Sequence, residues 1–178
     1  MVEEGDELAN DGNFKAAVEK FRKANQWNSQ LDIKPEEKAA IAFVVEGKEL
    51  VRGGEMKEAI AAYNKALEMN HKLEISAEDW GSLCLYGAIN KHAKDVMFAC
   101  EKAVDVASKN EVVLYARGSR GIARALTGDR SGAIKDFEAF VKLDDDDNRG
   151  KSEVEGWLKE LRNGKNPFTP EVLEKWRQ

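Results

Sequence analysis

A turn and helix that recur four times set what this chain can fold into. The clearest copy is Gly128-Asp129-Arg130-Ser131-Gly132-Ala133-Ile134-Lys135-Asp136-Phe137-Glu138-Ala139-Phe140, a glycine turn feeding a helix. The same frame runs from Gly12-Asn13-Phe14 to Ala24 and from Gly54-Glu55-Met56 to Ala66, and in weaker form from Lys91-His92-Ala93 to Ala103. One register aligns Gly5, Gly47, Cys84 and Gly121, then Ala17, Ala59, Val96 and Ala133, then Phe21, Tyr63, Cys100 and Phe137. The intervals are 42, 37 and 37 residues. A period of that size marks stacked helical units, none of which can bury its apolar face alone.

Each unit reads as helix, short turn, helix, with turns at Asp11-Gly12-Asn13, Gly53-Gly54, Asn90-Lys91-His92 and Thr127-Gly128-Asp129. Small residues at Ala17, Ala59 and Ala133 let paired helices approach, and Phe21, Tyr63 and Phe137, one turn later, fill the space beside them. After the fourth unit, Val154, Trp157, Leu158 and Leu161 repeat at helical spacing, Gly164 and Asn166-Pro167 end that helix, and Thr169-Pro170 starts a short one with Leu173 and Trp176. Ser76, with Asp79 three residues on, is a capping-box start for the third unit.

These residues carry a resemblance to the tetratricopeptide repeat, which covers about residues 1 to 147. Ser29 to Ile33 supply much of the extra length of the first unit, and Val96 with Cys100 makes the third copy depart from the pattern. The resemblance implies an all-α, right-handed α-solenoid of four helix pairs, at about 1–31, 35–73, 76–110 and 112–147, with a capping segment at 148–178. The blocks Asp79 to Cys84, Arg117 to Asp129 and Asn166 to Glu171 are similar to C-terminal modules of large bacterial multidomain proteins, implying a segment of a longer chain.

The family likeness implies a protein–protein interaction scaffold that holds a peptide or helical segment in its concave groove. Mapped onto this sequence, the groove presents Val44, Lys48, Val51 and Arg52, then Leu85 and Ile89, then Tyr115 and Ile122. The alternative is a structural or self-associating module, a homo-oligomer stacked through repeat ends or on the rest of a larger chain. The family's carboxylate clamp is not expected, because its places hold Val2, Asp6, Val45, Glu78 and Ser82.

Arg117, Arg120 and Arg124 form a stripe at spacings of three and four, and guanidiniums there must meet acceptors. Asp95, Glu101, Asp105 or Asp136 are the expected partners, with an anionic ligand as the alternative. Asp144 to Asp147 with Asn148 and Glu155 has the look of a calcium loop, but Arg149 stands where such a loop needs glycine, so a solvated loop is expected. Cys84 and Cys100, the only cysteines, are expected as buried thiols of one unit. Trp80, Trp157 and Trp176 are expected as packing residues.

Composition narrows the function classes. A net charge of -5 argues against nucleic acid, and no basic cluster outweighs its acidic neighbours. The N-terminus lacks the order of a secretory signal and the longest apolar run, Ala39 to Val45, is far too short to span a bilayer, so no membrane partner is expected. Two cysteines make a reducing cytoplasm the default. His71 and His92 have no partner at metal spacing, and no phosphate loop, GxSxG or HExxH occurs, so neither a cofactor nor an enzyme is expected.

Overall fold

The computed structural model of the protein describes residues 1–28, 34–143 and 149–177. Every regular element among them is helical, as the repeats require, and the chain divides into two compact units, Met1–Ile75 and Ser76–Gln178. The insertion at Ser29 to Ile33 and the acidic run Asp144 to Asn148 lie outside the described residues.

The first unit holds α1 (Val2–Asn10), α2 (Phe14–Trp27), α3 (Pro35–Gly53) and α4 (Met56–Met69). Pro35 begins α3 where its missing N–H costs nothing. Helices α1 and α2 form one pair, α3 and α4 the next, and α2 packs on α3. Ala17, Phe21, Ala24, Ala59, Tyr63 and Ala66 are buried, the residues that the repeat assigned to packing.

The second unit contains α5 (Ala77–Gly87), α6 (Met97–Val106), α7 (Asn110–Thr127), α8 (Arg130–Leu143), α9 (Arg149–Arg162) and α10 (Pro170–Trp176). Ser76 caps α5, its Oγ accepting from the Asp79 amide at 3.1 Å. Helix α9 buries Val154, Leu158 and Leu161 against α8. Phe137, Trp157, Phe168 and Trp176 form one aromatic cluster, with centroids 5.1 Å apart between Trp157 and Phe168 and 5.4 Å between Phe137 and Trp157. The C-terminal helices therefore share a core with α7 and α8 and belong to the same compact unit.

The repeat has a contact rule. An added Cβ at Gly5 would lie 2.6 Å from the Phe21 ring, one at Gly47 2.6 Å from Tyr63, and one at Gly121 2.6 Å from Phe137. Glycine in the first helix thus lets a ring sixteen residues later lie flat against its backbone. The third pair breaks the rule and keeps the spacing: Cys84 and Cys100, also 16 residues apart, are joined in a disulfide with 4.8 Å between Cα atoms. This corrects the expectation of free thiols. The positions that elsewhere bring a backbone and a ring together bring two small side chains within bonding range here, and both are fully buried.

Candidate functional site

Two places gather polar or exposed apolar groups. The first lies on α1 and α3 of the first unit. Residues 39–45 of α3 are apolar on every side, so burying Ala39, Ala40 and Ala42 leaves others in water. Ile41 is 49% exposed and Val45 46% exposed, one helical turn apart. Beside them is an open cavity of about 260 Å³, walled by Ala9, Phe21 and Ala42 and crossed at its edge by Asp6 and Lys38. Lys38 Nζ lies 2.7 Å from Asp6 Oδ1 and 4.9 Å from the centre of the Phe21 ring, so the cation is held over the mouth by a carboxylate and a π face.

The groove residues expected from the sequence fall differently. Val44 and Lys48 are half-buried on α3, about 60° around the helix from Ile41 and Val45 at 100° per residue. Val51 is buried, while Arg52 is exposed and paired with Glu49. In the second unit Ile89 and Ile122 are buried in the core shared with α9 and α10, and Leu85 packs against it. Tyr115 is half-buried: its ring occupies the space beside Gly81, its hydroxyl lies 3.4 Å from Ser82 Oγ, and burial pushes the phenol above its ordinary pKa. Ile41 and Lys38 went unnamed in the sequence reading. The signal for Ile41 is the run 39–45, too uniformly apolar for one helix stripe to bury, and Lys38 lies outside it.

The second place is the arginine stripe on α7. Asp136 of α8 is 1% exposed and accepts from Arg120 twice, at 2.9 Å to Nε and 2.6 Å to Nη2. Its oxygens also receive Arg124 Nη1 at 2.8 Å and Arg117 Nη1 at 3.4 Å. Glu101 of α6 takes Arg120 at 2.5 Å and Arg124 at 2.8 Å. Burial opposes the charge on Arg120, but its bonds and attraction to Asp136 and Glu101 outweigh that and hold its pKa above the usual value. The stripe is closed by internal pairing among α6, α7 and α8. Arg117 Nε is the one buried side-chain polar atom among the described residues with no hydrogen-bond partner.

Among the described residues no cluster of His, Cys, Asp and Glu could hold a metal ion, and no helix is long and apolar enough to cross a membrane. Trp80, Trp157 and Trp176 serve packing, Trp80 meeting Phe98 edge-on at 6.0 Å.

Helix pairs packed on their neighbours within each compact unit define an all-α helical-repeat fold. The family model of the tetratricopeptide repeat matches residues 40–72, most of α3 and all of α4. Over that stretch the chain is similar to the tetratricopeptide repeat. No curated protein matches its sequence.

Proposed function

We propose that this chain is a non-catalytic tetratricopeptide-repeat scaffold that captures an apolar or amphipathic segment of a partner protein on the α1–α3 face. Repeats of this family are protein–protein interaction modules in general. The observation that carries the finer reading is the exposed pair Ile41 and Val45 beside an open, apolar-walled cavity within one compact unit. An apolar side chain entering there would desolvate Phe21, Ala9 and Ala42, while Lys38 and Asp6 would orient a polar backbone or a charge at the rim. Val44, Lys48 and Arg52 extend the same helix and would contact a longer segment.

The test compares binding by the parent chain with that of an Ile41→Asp, Val45→Asp variant. Both positions are exposed, so the variant should keep its melting temperature. A partner held by the parent and lost by the variant supports this face; one held equally by both removes it. Self-association is the second reading, favoured by Trp27, 83% exposed at the end of α2. Light scattering separates the two, because self-association gives a mass that rises with concentration and falls back in Trp27→Ser.

A further inference from the structure

The turn inside the third helix pair carries a lysine where its counterparts carry glycine. Gly12, Gly54 and Gly128 have φ of 77°, 78° and 88°, and Lys91, in the same register, has φ of 74°. Glycine adopts this left-handed backbone freely, whereas a residue with a Cβ is disfavoured there. Asn90, of a type that tolerates the conformation better, sits one place earlier and instead donates through Nδ2 to the Tyr86 carbonyl at 2.9 Å. Strained backbone of this kind clusters at ligand sites, which directs attention to the surroundings of Lys91.

Lys91 lies at the edge of an open pocket of about 340 Å³ within the second unit. Its apolar surface comes from Ala88, Ala93, Leu126 and Leu173, contributed by the turn, α7 and α10. Three cations line it, Lys91, Lys94 and Arg177. Among the described residues neither lysine has an ion-pair partner. Arg177 is fixed in place because its Nε donates to the Ile89 carbonyl at 2.6 Å and Nη2 donates to the same oxygen. The lining's one carboxylate, Asp95, is engaged by His92, Nδ1 to Oδ2 at 2.9 Å. In a chain of net charge -5, this pocket holds a local excess of positive charge over an apolar floor.

We propose that the pocket is a binding site for a small amphipathic carboxylate, whose apolar body rests on Ala88, Ala93, Leu126 and Leu173 and whose charge meets Lys91, Lys94 and Arg177. The volume suits a short apolar body, and the two exposed lysines are point charges beside the guanidinium of Arg177. Two sources share this chemistry: a free carboxylic acid, and the apolar C-terminal residue of a peptide. The site is independent of the α1–α3 face, since it rests on different residues in the other compact unit.

The test is a titration of the full chain with octanoate and with N-acetylglycyl-leucine, read by amide chemical shifts. Octanol and inorganic phosphate serve as the uncharged and the purely anionic controls. The expected result is saturable shifts confined to residues 88–95, 126–127 and 173–177, with affinity at least tenfold weaker for both controls. Tighter binding of octanoate assigns the free acid as the source, and tighter binding of the dipeptide assigns a chain terminus. Lys91→Gln, which keeps the disfavoured backbone but loses the charge, should weaken binding about as much as Lys91→Gly. The glycine variant should also melt at a higher temperature than the parent. Absence of saturable shifts with both carboxylates, phosphate binding as tightly as octanoate, or unchanged affinity in both Lys91 variants would overturn the proposal.

Discussion

The third and fourth helix pairs close in different ways. In the fourth, Gly121 admits the Phe137 ring, Gly128 makes the turn, and Asp129 caps α8 by accepting from the Gly132 amide at 2.9 Å. In the third, a disulfide replaces the glycine and ring, and Lys91 replaces the turn glycine. The first turn of its second helix is also irregular, with regular helix starting only at Met97. Packing by shape gives way to a covalent link at the same register. A ring such as Phe137 contributes on the order of 1.5–3 kcal/mol by burial. Closing a loop of this length with a disulfide contributes about 3 kcal/mol in the chain-entropy account. The two devices are thus of similar size, but only the second is lost on reduction.

The comparison can be broken at several points. The largest effect should come from Asp136→Ala, which leaves Arg120 and its neighbours without their shared buried acceptor. A cost of about 3–5 kcal/mol is expected in urea denaturation. Opening the third pair, by reduction or by Cys84→Ser with Cys100→Ser, should cost about 2–4 kcal/mol. Its sharper form is Cys84→Gly with Cys100→Phe, which restores the register of the other pairs and should recover part of that loss while abolishing any response to reductant. Gly121→Ala should cost about 1–3 kcal/mol, because the added methyl meets the Phe137 ring. The smallest change has the opposite sign: Lys91→Gly should stabilise the chain by roughly 0.5–1 kcal/mol, read as a rise in melting temperature.

Acid gives a further contrast. The hydrogen bond donated by the Gly132 N–H, with help from Ser131 and Arg124, holds the Asp129 carboxyl below its ordinary pKa. Its contribution is therefore present above the unfolded carboxylate value and is lost as pH falls through the lower folded value. Asp129→Asn should flatten the stability profile in that window, a response tied to the α8 cap of the fourth pair.

Much of this was legible in the sequence because the repeat is local. The register of Gly5, Gly47 and Gly121 against Phe21, Tyr63 and Phe137, the Ser76 cap and the apolar face of α9 all follow from short-range spacing. Asp136 and Glu101 could be named as partners of the arginines because they lie one helix away in either direction. The groove residues Ile89 and Ile122 were harder to place, because they are covered from far along the chain: Arg177 reaches the Ile89 carbonyl across 88 residues, and Phe168 and Leu173 share their core. No periodicity encodes that return. The cysteines align with the glycine and ring positions in sequence, yet only the approach of the two helices, with 4.8 Å between Cα atoms, turns that alignment into a bond. That bond also removes the argument for a reducing compartment, which rested on two free thiols.

The central claim is that a covalent link closes the third pair where packing closes the other three. Alkylation of the denatured, unreduced chain, followed by intact-mass measurement, tests it most directly. The account predicts no alkyl group before reduction and one on each of Cys84 and Cys100 after it. Two alkyl groups without reductant would contradict it.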